Sequence, residues 1–193
     1  MAIYKTKHMP IQQEIKSQLA KLLATEDLVV EHKQVETAQF NVDTRVLILP
    51  IWEKASNVVY DMLVGHEVGH ALFTPNENPP EDIPHGIINV VEDARIEKLI
   101  KRRYMGLAKT FYRAYNELNE EDFFEIDGQD LDSFNLADRA NLHFKIGSFL
   151  NISFTVREKE IINLIDSSPN LTEMEMVLFQ EMNVHSFVVK TLD

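Results

Sequence analysis

A chain of 193 residues is the length of one ordinary domain and can bury a sizeable core. It contains no cysteine, which excludes disulfides and thiolate ligands and leaves His, Asp, Glu and water to hold any metal ion. A formal charge of -12 repels nucleic-acid phosphates and anionic membranes. No apolar run approaches the roughly twenty residues of a bilayer span, and MAIYKTKHMP lacks the apolar core of a signal peptide, so a soluble cytoplasmic protein without nucleic-acid or membrane partners is expected.

The first predicted element is a helix from Ile11 to Leu23, where Ile11, Ile15, Leu19, Leu22 and Leu23 recur every three to four residues. DLVVEHKQVETAQFNVDTRVLILPIW then concentrates Val, Thr, Phe and Ile, with NVDTR as a turn between two extended runs, which predicts a small sheet containing a hairpin. Ser56 is placed to cap NVVYDMLVGHEVGHALF, a helical stretch that continues without a proline until Thr74-Pro75 stops it. TPNENPPEDIPHG, with its four prolines, reads as a connector. IINVVEDARIEKLIKRRYMG returns to helical spacing through Ile88, Val91, Ala94, Ile96, Leu99 and Ile100 and is expected to close near Gly106.

Beyond it, LAKTFYRAYNEL, NLADRANLHFKIGSFL, REKEIINLIDSS and LTEMEMVLFQEM read as helices. The acidic NEEDFFEIDGQDLDSF is a connector held to the body by Phe123, Phe124 and Phe134, which a free linker would not carry. The expected fold is α+β and mostly helical. A small N-terminal β-sheet packs on the motif helix and on a second, ligand-bearing helix, and a helical C-terminal part follows. A metal-binding core over residues 1–120 and an extension over 121–193 are expected to pack as one unit.

The chemistry lies in HEVGH. Positions four apart on a helix differ by only about 40°, so His66 and His70 project from one face and can reach a single ion. Glu67 is turned one step away, where it can take a proton from water at the ion's open position instead of ligating. Neutral imidazoles on a borderline-soft ion suggest Zn2+. Gly65 and Gly69 each cost about 1 kcal/mol of helix propensity, and a second helix or a substrate backbone approaching closely is the simplest offset. Buried, hydrogen-bonded histidines are the competing reading of so short a motif.

A third ligand must therefore be sought, and NVVEDARIE offers Glu92, Asp93 and Glu97. Glu92 stands twenty-two residues after His70 and is the preferred ligand. Asp93 is the alternative, or else the acceptor that orients a histidine from behind. Arg95 and Glu97 can be salt-bridged to the same cluster. Glu97, Lys98, Lys101, Arg102 and Arg103 otherwise read as a solvated face, since positive charge near a helix C-terminus needs no ligand to explain it.

HEVGHALFTP followed by NVVEDARIE resembles the gluzincin clan of zinc metallopeptidases in a minimal form. More narrowly it is similar to the metallopeptidase-like region that precedes a von Willebrand factor A domain in cobaltochelatase-subunit-like proteins, phage versions included. The resemblance covers about Thr37 to Gly106. It implies zinc ligands at His66, His70 and Glu92, a general base at Glu67 and, through RVLILPI, an edge strand that pairs with an extended substrate. A von Willebrand domain is not found before the closing VVKTLD, which suggests a stand-alone or split version, acting in the host cytoplasm if phage-encoded.

The function expected is zinc-dependent hydrolysis of peptide bonds in a peptide or protein substrate. The alternative is a non-proteolytic zinc-bearing scaffold that partners an AAA+ ATPase or a von Willebrand factor A-type protein. Tyr104, Tyr112, Tyr115 and His143 are the candidates for stabilising an oxyanion. His85, at the mouth of the second helix, reads as a surface or capping residue, and His8, His32 and His185 as ordinary ones.

Overall fold

The computed structural model describes residues 13–52, 55–76, 81 and 83–167. Its elements run α1 (Gln13–Ala24), β1 (Val29–Lys33), β2 (Gln39–Asn41), β3 (Val46–Pro50), α2 (Asn57–Phe73), α3 (His85–Arg103), α4 (Met105–Glu120), a 3-10 turn (Leu131–Ser133), α5 (Leu136–Ile146) and α6 (Val156–Ser167). The fold is α+β, with a three-stranded sheet near the N-terminus and helices after it.

β2 and β3 form the expected hairpin: the Thr44 amide donates to Asn41 Oδ1 at 2.8 Å, and Arg45 turns the chain with φ 57°. β1 then pairs parallel to the other side of β3, Val30 facing Leu47, so the strand order is β1-β3-β2. This overturns Arg45–Ile51 as an edge open to a substrate strand. Leu47 and Leu49 are fully buried, and burying them places β3 in the middle with a neighbour on each side.

α2 occupies the centre. Ser56 Oγ caps it by accepting from the Val59 amide at 3.2 Å. Its residues are buried almost all round, because α1, α3, α4 and the sheet pack on different sides of it. The Tyr60 hydroxyl donates to the Pro50 carbonyl and accepts from the Trp52 amide, tying α2 to the end of β3. At the other end, Arg45 donates to the Ala71 carbonyl and Arg95 to the Phe73 carbonyl, covering groups that a helix terminus leaves without partners.

α1 presents a different face from the one its leucines suggest. It buries Lys16, Ala20 and Ala24, while Ile15 and Leu22 are 52% and 74% exposed. The Lys16 ammonium docks on α2 by donating to Asp61 Oδ1 at 2.6 Å and to the Asn57 carbonyl at 3.3 Å, and the two alanines let the helices close. α3 ends at Arg103, short of Gly106, which lies in the first turn of α4. The Tyr104 hydroxyl donates to the Leu23 carbonyl and pins the break between the two helices.

α5 and α6 pack on α3, where Ile87 and Val91 meet Leu136, Ala137, Ile161 and Ile165. The acidic connector is held down, with Phe124 in the main core. Ile11, His8, His185 and the helix expected over LTEMEMVLFQEM lie outside the described residues. Among the described residues no helix is long and apolar enough to cross a membrane.

Candidate metal centre

α2 and α3 pack directly against each other, and Gly69 sets how closely: a Cβ there would sit 2.8 Å from Ile96 Cδ1. Gly65 serves another contact, facing Phe111 of α4, so only one of the two glycines belongs to the interface between the histidines and the second helix. That close approach lays Asp93 over the histidine face. His66, His70 and Asp93 each bring one ligand atom to within 4.8 Å of the others and can hold a metal ion.

One carboxylate oxygen faces an ε-nitrogen of each ring. Asp93 Oδ1 lies 3.5 Å from His66 Nε2 and 3.4 Å from His70 Nε2. These separations exceed ordinary hydrogen-bond lengths, and Oδ1 is buried and accepts no hydrogen bond among the described residues. An ion with bonds of about 2.1 Å and tetrahedral angles keeps its ligand atoms about 3.4 Å apart. The two separations from Asp93 Oδ1 match that spacing, and the group can hold a metal ion.

The δ-nitrogens are committed on the far sides of both rings. His66 Nδ1 lies 3.1 Å from Glu97 Oε1 and donates to it. His70 Nδ1 lies 2.9 Å from Thr74 Oγ1, and the Thr74 hydroxyl donates in turn to Glu92 Oε1 at 2.5 Å. A δ-proton on a neutral ring puts the lone pair on its ε-nitrogen, the tautomer that ligating imidazoles use.

Glu92 thus stands behind His70, clamped by the Arg95 guanidinium at 2.8 Å, and Asp93, the alternative, is the carboxylate that faces the two ε-nitrogens. The physical reason is rotation: neighbouring helical residues differ by about 100°, and the α2–α3 contact turns residue 93 toward the histidines. Glu97 is corrected as well. The expected solvated face is a buried carboxylate that also accepts from the Tyr115 hydroxyl and lies 3.4 Å from Lys101 Nζ. Arg102 and Arg103 are exposed, as expected.

Two participants escaped the sequence reading. Thr74 stops α2, and its spacing of four from His70 is the signal that sets its hydroxyl beside the ring. Lys145 of α5 donates to Asp93 Oδ2 from fifty-two residues away, a distance at which no local pattern points to it. Its side chain is 2% exposed and its ammonium is also 3.8 Å from Glu97 Oε1.

Glu67 lies in α2 at 1% exposure, and its charge is felt by His70. Burial pushes the His70 imidazole down and His66 adds to this, but Asp93 and Glu67 outweigh both and leave it raised above 6.5. Burial likewise pushes Glu97 up, yet His66, Lys101 and Lys145 bring it down from 4.5 to about 2. The cluster is one that attracts positive charge while holding its outer carboxylate ionised.

Of the oxyanion candidates, Tyr115 donates to Glu97 and Tyr104 to the Leu23 carbonyl, Tyr112 is largely exposed, and His143 meets Phe144 and Phe154 edge-on. His85 is exposed at the start of α3, and His32 contacts Ser17 away from the cluster. No family model, curated protein or solved structure matches the chain.

Proposed function

We propose that this chain is a zinc-dependent peptidase-like protein of the cytoplasm, in which His66, His70 and Asp93 hold Zn2+ and Glu67 is the general base. The observation that carries the reading is the pair of ε-nitrogens 3.5 and 3.4 Å from one orphaned carboxylate oxygen, with Glu67 one residue along the same helix. Two imidazoles and a carboxylate are a donor set that zinc accepts and that leaves a fourth position open. The ion supplies Lewis acidity, polarising a carbonyl and easing the ionisation of water. Glu97 and Thr74 accept the δ-protons of His66 and His70, the tautomer in which an ε-nitrogen can ligate. Glu67 accepts a proton from the attacking water and returns it to the departing amine.

Burial favours a second reading. Glu67 and Asp93 are 1% and 3% exposed, and closed sites are the mark of structural ions. On that reading the chain is a zinc-bearing scaffold without hydrolytic activity, serving an AAA+ ATPase or a von Willebrand factor A-type partner.

The test is elemental analysis of purified wild type and Glu67→Gln, followed by incubation of each with a peptide mixture read by mass spectrometry. A peptidase carries one zinc in both proteins and cuts peptides only with Glu67 intact. A scaffold carries zinc in both and cuts with neither. Wild type without stoichiometric zinc would overturn both readings.

A further inference from the structure

We propose that Lys145 is a positioning residue that restricts Asp93 to one ligating oxygen and so keeps the centre four-coordinate. The inference rests on the metal-binding reading of His66, His70 and Asp93. A carboxylate can bind an ion through one oxygen or both, and the choice changes the coordination number. Here the two oxygens of Asp93 face different partners: Oδ2 accepts from the Lys145 ammonium, while Oδ1 faces both ε-nitrogens and accepts no hydrogen bond among the described residues. For Oδ2 to swing onto the ion it would have to give up its ion pair with an ammonium whose side chain is 2% exposed.

α5 is fixed independently of that contact. Leu142 and Ile146, on either side of Lys145, are fully buried in the main core, and Ala140 packs with Val90 of α3. The core therefore places the Lys145 backbone independently of the ion pair. The same ammonium lies 3.8 Å from Glu97 Oε1, so a single cation reaches both the ligating carboxylate and the carboxylate that orients His66. Outer groups of this kind set ligand geometry and metal affinity together.

Cobalt reads this directly, because four-coordinate Co2+ absorbs visible light much more strongly than five- or six-coordinate Co2+. Full-length wild type, Lys145→Met and Lys145→Arg are titrated with Co2+ alone, with folding followed by circular dichroism. The expected result is one Co2+ with intense bands in wild type, bands several-fold weaker and affinity about 10- to 100-fold lower in Lys145→Met, and intense bands largely restored in Lys145→Arg. Lys145→Gln, which keeps an N–H donor, replaces the methionine variant if that one does not fold, and is expected to fall between it and wild type. Identical spectra and affinities in wild type and the uncharged variants would overturn the role of Lys145 while leaving the metal site standing. Weak bands in wild type would overturn the single-oxygen geometry in the same way. Wild type that takes up no Co2+ would bring down the metal site and this inference with it.

Discussion

His66 Nδ1 and Glu97 Oε1 are 3.1 Å apart between two adjoining helices, with both side chains buried. The carboxylate fixes the tautomer of the imidazole and raises its basicity toward an ion on the opposite nitrogen. Glu97→Gln keeps the shape and an acceptor oxygen but removes the charge. Metal affinity is expected to fall by about 10-fold, at the mild end of what outer-carboxylate losses produce, as measured by competition with a chromophoric chelator.

Asp93 and Glu92 separate by position. Asp93→Ala removes the atom facing both ε-nitrogens and is expected to abolish stoichiometric metal in the purified protein. Glu92→Ala reaches His70 through Thr74 and should leave the ion bound, with affinity lowered by about 10-fold. Elemental analysis decides between them, and loss of the ion in Glu92→Ala alone would reverse the assignment.

Gly69→Ala adds a methyl group 2.8 Å from Ile96 Cδ1 at the α2–α3 contact. Helix propensity favours the substitution by about 1 kcal/mol, and crowding in a packed core opposes it by about 1–3 kcal/mol. Crowding wins, with a net loss of about 1 kcal/mol expected in denaturant unfolding. Ile96→Val removes the clashing atom and should recover stability when combined with Gly69→Ala.

Glu158 anchors the C-terminal helices. It accepts from the Arg139 guanidinium and from the Thr155 amide at 2.8 Å, and the Thr155 hydroxyl accepts from the Glu158 amide at 3.3 Å, closing a capping box at the start of α6. The Arg139 hydrogen bonds hold its carboxyl below the ordinary 4.5. A lowered folded-state value means stability that is fully present above 4.5 and lost as pH falls through the lower value. Wild type should exceed Glu158→Gln by about 1 kcal/mol at neutral pH, and the difference should shrink in thermal unfolding as pH falls below 4.5 and through the lowered folded-state value.

The sequence determined α2 to the residue, from the Ser56 cap to the stop at Thr74, because caps and helical period are local properties of the chain. It also determined that His66 and His70 share a face and that a carboxylate would come from the helix carrying NVVEDARIE. The hairpin at NVDTR was legible for the same local reason.

The tertiary structure alone decided which carboxylate faces the histidines, since the choice between Glu92 and Asp93 is an angle of rotation between two helices set by Gly69 and Ile96. It decided that β3 is central, because β1 reaches it from beyond the hairpin. It decided the burial of Glu97 and the arrival of Lys145, because contacts between α3 and residues of α4 and α5 depend on how helices stack and not on spacing along the chain. Local periodicity names the atoms that can ligate, and packing between distant segments determines which of them meet.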